Sequence, residues 1–391
     1  MLYQISLGIL IGLSYVLPSS LALIVADTKG IGISSLYRRI MTTTASADVH
    51  VNPSIFAGTK RGVIQQYTFD HRSRTVERIK EYTDPTKPRY PIYSMVSRAI
   101  DERKTELFCG GGDRYISVWQ QSDANEELEF KQRFGPHTGW VKALAFDSRT
   151  CRLHSIACNR IETWSWTEAT EWSHMATRAI ESCPDKGSTL SSDLLCLTMN
   201  EGDDCIYAGG VDGRIHVWSS DPSIQHPIVS VGAHGGRVNV LILSSKSRLL
   251  FSSGHGGSVQ CRKVGSKGLF SDEACASLQL GSRTATQNEE VRVTSATLVS
   301  EAETSVSLIV GTSAGVMYLI MAELEDDIVT LLDKQFIPFS SEIGVNLQIN
   351  AIVPIEDSAN CSLVVGHSNG MEKTEINLLD YLDIDGRDNC C

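Results

Sequence analysis

One short pattern recurs seven times along the chain and leaves few folds open: an apolar strand, a tight turn, then a second alternating strand. The copies lie at residues 54–67, 107–119, 153–164, 206–218, 250–261, 308–319 and 363–374. The clearest reads Ile206-Tyr-Ala-Gly-Gly-Val-Asp-Gly-Arg-Ile-His-Val-Trp218; the copy at 153–164 is degenerate. Each is a β-hairpin signal, because side chains alternate with period two on both sides of a turn that favours Gly or Asp for positive φ.

With Gly62, Arg114, Arg160, Gly213, Gly257, Gly315 and Gly370 as turn markers, the successive spacings are 52, 46, 53, 44, 58 and 55 residues. A further strand precedes most hairpins, at 92–100, 141–146, 194–199, 238–243, 293–299 and 349–353. Another follows several of them, at 128–134, 228–231, 274–280 and 328–337. Units of four strands and roughly 50 residues, repeated seven times, predict an all-β, seven-bladed β-propeller over residues 48–382.

These units resemble the WD40 family. Ala208-Gly-Gly-Val-Asp-Gly-Arg-Ile-His-Val-Trp218 is similar to the family's second strand, turn and third strand. The resemblance makes Asp212 the turn aspartate, Gly213 the turn glycine and Trp218 the third-strand tryptophan. Gly110-Gly-Gly-Asp-Arg-Tyr-Ile-Ser-Val-Trp119 is similar, with Asp113 and Trp119. Gly135-Pro-His137 and Gly232-Ala-His234 resemble the Gly-His elements that join one unit to the next. No unit carries His, Asp and Trp together: Asn159 and His255 stand in the turns after His137 and His234. The resemblance implies an incomplete His–Ser/Thr–Trp–Asp network in every blade.

Composition narrows the classes. The chain is 42% hydrophobic and 21% charged, which excludes wholesale disorder and a polytopic membrane protein. Its 46 acids exceed its 35 lysines and arginines, for a net charge of -11, so no direct nucleic-acid contact is expected. The 11 cysteines form no CxxC and give no zinc spacing or small disulfide framework. Terminal Cys390-Cys391 resembles a prenylated double-cysteine end, but no GTPase body accompanies it. Residues 383–391 read as an acidic solvated tail.

The first 47 residues read as an N-terminal extension. Residues 7–26 are nearly all apolar, and 28–47 hold seven Ser/Thr and three Lys/Arg with no acid. A secretory signal, a signal followed by a plastid transit segment, and a retained membrane anchor all fit. So does a hairpin at 23–34 belonging to the fold, which would leave the protein cytoplasmic. Closure of the ring requires residues 21–26 or 49–51 to pair in the sheet containing 363–374, since an open edge is costly.

Gly311-Thr-Ser-Ala-Gly315 and Gly366-His-Ser-Asn-Gly370 match the GxSxG nucleophile elbow, yet each precedes a strand rather than a helix. Both fill the hairpin turn occupied elsewhere by ordinary turn residues. No catalytic residue, metal ligand set or cofactor is expected. Trp164, Trp166 and Trp172 read as core packing rather than a ligand cage.

The expected function is a non-enzymatic scaffold or adaptor that binds other proteins. A hydrolase-type catalytic propeller and a subunit of a nucleic-acid-associated complex are the rivals, and membrane contact would require a retained anchor. In WD40-like propellers the turns between second and third strands share a face with the connections between blades. That placement would gather Lys60, Arg61, Arg114, Arg160, Arg237 and Arg292 into a basic ring, with Asp113 and Asp212 used in turn hydrogen bonds. An acidic or phosphorylated partner segment is the implied ligand.

Overall fold

A computed structural model describes residues 33–39 and, between 54 and 376, all except 71–74, 87–89, 102–103, 123–124, 167–170, 181–192, 201–203, 266, 271, 282–290, 337–347, 358–359 and 368–369. The described residues form strands and turns, with no helix among them. Accordingly, none of their helices is long and apolar enough to cross a membrane.

Seven antiparallel sheets follow one another along the chain. The first comprises β1 (Ile33–Arg39), β2 (Ser54–Thr59), β3 (Val63–Asp70) and β4 (Thr75–Thr83). The second comprises β5 (Ile92–Asp101), β6 (Lys104–Gly111), β7 (Ile116–Ser122) and β8 (Asn125–Phe134). The third is β9 (Val141–Asp147), β10 (Arg152–Ala157), β11 (Arg160–Trp166) and β12 (Trp172–Ala179). The fourth is β13 (Leu194–Asn200), β14 (Cys205–Gly210), β15 (Arg214–Ser219) and β16 (Val229–Gly232). The fifth is β17 (Val238–Ser244), β18 (Leu249–Gly254), β19 (Ser258–Lys263) and β20 (Ala276–Gln279). The sixth is β21 (Val293–Glu301), β22 (Ser305–Thr312), β23 (Met317–Glu325) and β24 (Ile328–Phe336). The seventh has three described strands, β25 (Ile349–Asp357), β26 (Asn360–His367) and β27 (Gly370–Ile376). In every sheet the strands lie in chain order, each hydrogen-bonded to the next.

The turns explain this local order. The tight turns between second and third strands place Gly62, Gly213, Gly257 and Gly315 at φ between 68° and 78°, a region open to glycine at little steric cost. The second sheet puts Arg114 there instead, at φ 72°. The third departs from the sequence reading. Ala157 pairs directly with Arg160, so its turn is Cys158-Asn159, with Cys158 at φ 52°. Arg160 is therefore the first residue of β11 rather than a turn marker.

The first strands pack side by side in sequence: β1 with β5, β5 with β9, then β13, β17, β21 and β25 in turn. The series returns to its start, because β25 also lies against β1. β1 falls inside the segment read as an extension before residue 48, yet it pairs with β2 from Ile33 to Arg39. Residues 21–26 and 49–51, offered for closure, lie outside the described residues, as do the acidic tail and the terminal cysteines.

The core is divided between sheets. One cluster joins the second and third sheets through Phe108, Phe134, Phe146, Trp164 and Trp172; others join the first to the second, third to fourth, fourth to fifth and fifth to sixth. Trp218, Tyr207, Phe56 and Phe108 are almost wholly enclosed, and burying such a side chain contributes roughly 1.5–3 kcal/mol. The tryptophans at 164, 166 and 172 join this packing as expected from their strand spacing. The Arg98 guanidinium fills the aromatic site they form, 4.5 Å from the Trp166 ring centroid and 4.7 Å from that of Trp172. Glu106 pairs with it at 2.6 Å, so a desolvated cation there is matched by a carboxylate.

Candidate docking end

Backbone hydrogen bonds hold the tight turns and the inter-sheet connections together at one end of the sheets. In four of the sheets the residue entering the turn donates to the carbonyl just before that sheet's first strand. Gly112 bonds Pro91 at 2.8 Å, Val211 bonds Asp193 at 2.8 Å, His255 bonds Arg237 at 3.0 Å and Ser313 bonds Arg292 at 2.9 Å. The connection leaving the sheet then donates back to the turn. His137 bonds the Arg114 carbonyl at 2.8 Å, Ile180 bonds Asn159 at 3.0 Å and His234 bonds Gly213 at 3.0 Å.

The motif residues brace this end. Asp113 accepts the Tyr115 N–H at 3.1 Å and pairs with Arg133, whose second partner is Asp84 at 3.1 Å. Asp212 accepts the Arg214 N–H at 3.0 Å and lies 3.2 Å from His216 Nε2. Burial alone would raise its carboxyl, but the bonds from His216 and Arg214 outweigh that and hold it below the ordinary range. Both aspartates are thus engaged in and around their turns. A Cβ on Gly213 would come within 2.2 Å of the His234 carbonyl oxygen, so glycine is required for close approach as well as for φ.

His137 is the centre of the most complete network. Its Nδ1 lies 3.1 Å from the Arg114 carbonyl, which can only accept, so Nδ1 carries the proton. Its Nε2 meets Ser155 Oγ at 2.8 Å, and Trp164 Nε1 donates to the same hydroxyl oxygen at 3.0 Å. Burial lowers the imidazole to about 4. His234 is held between Ser252 and Ser258, each at 2.9 Å, and burial with nearby Arg262 brings it to about 4. Trp119 donates to Ser117 at 3.1 Å within its own strand. Trp218 is fully buried with no partner for Nε1. The network serine, Ser155, was not singled out from sequence: a hydroxyl within an apolar strand gives no signal until its cross-strand partners are known.

Lys60, Arg61, Arg114, Arg160, Arg237 and Arg292 are all exposed, in or beside these turns and connections. Among them the structure adds an aromatic shelf that sequence did not reveal. Tyr93, near the start of β5, stacks on Trp140, just before β9, with ring centroids 5.6 Å apart. Lys142 Nζ lies 4.1 Å from the Tyr93 ring centroid and 4.6 Å from that of Trp140. Burial lowers the Lys142 ammonium, and Asp193 and Cys158 oppose that shift. Trp140 is 53% exposed. Beside it opens a cleft of about 270 Å³ lined by Gly139, Trp140, Lys142, Cys158, Asp193 and Leu195. Lys142 also lines a space of about 180 Å³ between the first strands, where Asn239, Thr294 and Asn350 add polar groups. The only sequence trace of the shelf was a tryptophan in a connection, one residue before an expected strand.

Ser313 lies in the tight turn between β22 and β23, flanked by strands on both sides, and Ser368 is outside the described residues. No grouping of His, Cys, Asp and Glu among the described residues could hold a metal ion. No family model matches the chain, and no curated protein matches it.

Proposed function

We propose that the seven sheets are the blades of a seven-bladed WD40-like β-propeller, and that the chain is a non-enzymatic scaffold. It would dock an acidic or phosphorylated protein segment on the end where turns and connections meet. The propeller reading is supported by the packing series of first strands, which runs through all seven sheets and returns from β25 to β1. The docking reading is carried by the shelf: an exposed indole stacked on Tyr93, with a partly desolvated lysine over both rings.

The physical case is one of complementarity. In a chain of net charge -11, exposed cations recur at this end, while Asp113 and Asp212 are engaged within their turns. Guanidinium groups pair carboxylates and phosphates through two parallel bonds, and a stacked indole offers apolar area to a neighbouring side chain. Arg114→Glu combined with Arg160→Glu should weaken binding of an acidic or phosphorylated peptide roughly tenfold or more, as should Trp140→Ala. Binding should also weaken as salt rises. Titration of a peptide panel against the full chain checks this. A ligand held equally well by the double variant, without salt dependence, would move the docking site elsewhere.

A further inference from the structure

We propose that Cys261 and Cys275 form a hydroperoxide-sensitive dithiol that closes to a disulfide between the third and fourth strands of the fifth sheet. Cys261 lies in β19 and is wholly buried in the core shared with the sixth sheet. Its ladder partner is Ala276, and Cys275 immediately precedes that partner. The Cys275 N–H donates to the Cys261 carbonyl at 2.9 Å, and its thiol donates to the same oxygen at 3.2 Å. Cys275 therefore stands one residue off the facing position, just before the strand begins, with its thiol turned onto the Cys261 backbone.

The two sulfurs are unequal in the way a stepwise oxidation needs. Cys275 is exposed and Cys261 is not. The Cys261 thiol, with help from backbone bonds and the charge of Lys263, brings Cys275 down to about 7 against its partial burial. That direction favours the thiolate, and the thiolate is the nucleophile. The Cys275 neighbour and burial push Cys261 up, which keeps it a thiol.

With a hydroperoxide as oxidant, the Cys275 thiolate attacks one peroxide oxygen. The O–O bond breaks, the alkoxide leaves and takes a proton, and Cys275 becomes a sulfenic acid. Cys261 sulfur then attacks the Cys275 sulfur. The S–O bond breaks, the S–S bond forms, and the departing hydroxide carries off the Cys261 proton as water.

The bond would clamp the base of the loop between β19 and β20. That loop reaches to the fourth sheet: Tyr207 donates its hydroxyl to the Gly268 carbonyl at 2.6 Å, and Phe270 stacks on Tyr207 with centroids 6.0 Å apart. Oxidation would thus fix a bridge between neighbouring sheets.

The test treats the full chain with hydrogen peroxide, alkylates remaining thiols after unfolding, and maps peptides without reductant. The expected product has lost two hydrogens and contains a Cys261–Cys275 linked peptide that reductant separates. Cys275→Ser should lose the link. Cys261→Ala should halt at a Cys275 sulfenic acid that dimedone traps. The proposal is overturned if wild-type Cys275 stays reduced, pairs with another cysteine, or ends as a sulfenic or sulfinic acid with Cys261 still alkylated. The wild-type map alone decides this if a variant fails to fold.

Discussion

The third and fourth sheets place tryptophan at the same ladder position and treat its N–H in opposite ways. Trp164 pairs with Leu153 and Trp218 with Ile206. Two residues past each partner stands Ser155 in one sheet and Ala208 in the other. The hydroxyl lets Trp164 and His137 share a bonded centre, whereas Trp218 buries its N–H without a partner. The fourth sheet instead places its polar network at the turn, where Asp212 holds Arg214 and His216. One fold position therefore tolerates either solution, provided the apolar area of the indole is buried. Burial of a ring outweighs roughly 1–3 kcal/mol for an unpaired N–H.

Acid should separate the two sheets most strongly. His137 and His154, both buried around the third sheet, are brought to about 4 and about 3, chiefly by burial. An unfolded histidine takes its proton near pH 6.5, so below that the unfolded chain binds more protons and stability falls with falling pH. The loss runs from about pH 6.5 down to the folded values and then levels off, roughly 3 kcal/mol for His137 and roughly 5 kcal/mol for His154. Asp212 is held below the ordinary carboxylate range, so its contribution persists until the pH falls through that lower value. Hydrogen exchange at pH 7 and pH 5 should show β10 and β11 losing protection before β14 and β15. Equal loss in both sheets would refute the contrast.

The turns should differ next. Gly213→Val meets both the positive φ and the His234 carbonyl, and should cost about 3 kcal/mol in denaturant unfolding. Cys158→Gly, at φ 52°, should instead stabilise by about 1 kcal/mol. A stabilising Gly213→Val would mean that this turn is not what holds the connection through His234.

The smallest effects test the indoles themselves. Trp164→Phe leaves the Ser155 oxygen without its indole donor and should cost about 1 kcal/mol more than Trp218→Phe. Ala208→Ser offers Trp218 the missing acceptor and should recover up to ~1 kcal/mol in thermal or chemical melts. No gain from Ala208→Ser, with equal costs for the two Phe variants, would show that the hydroxyl does not set the difference.

Much of the strand pattern was legible because it is local. Period-two alternation and turn residues located the first strands 141–146 and 238–243 within a residue of β9 and β17. β1 was not legible: its strand character depends on β2 and on the returning packing against β25, and the surrounding composition reads as a targeting segment. The third turn was misread by two residues because Cys158 gives no sign of tolerating positive φ, whereas Gly213 does. At the end where turns and connections meet, the six cations could be placed from their distance to the turns. The shelf could not, since Tyr93 and Trp140 meet only when β5 and β9 pack side by side.

The division of the core into seams has a consequence for how such a sequence ages. Each cluster belongs to two adjoining sheets, so a change is answered by its immediate neighbours and need not be matched around the ring. Position by position, Trp164, Trp218 and Arg262 stand at the same place on successive third strands, opposite Leu153, Ile206 and Leu250. Each seam has accommodated its own occupant. A substitution at one of these positions should therefore be felt chiefly in its own seam, leaving the packing of distant sheets unchanged.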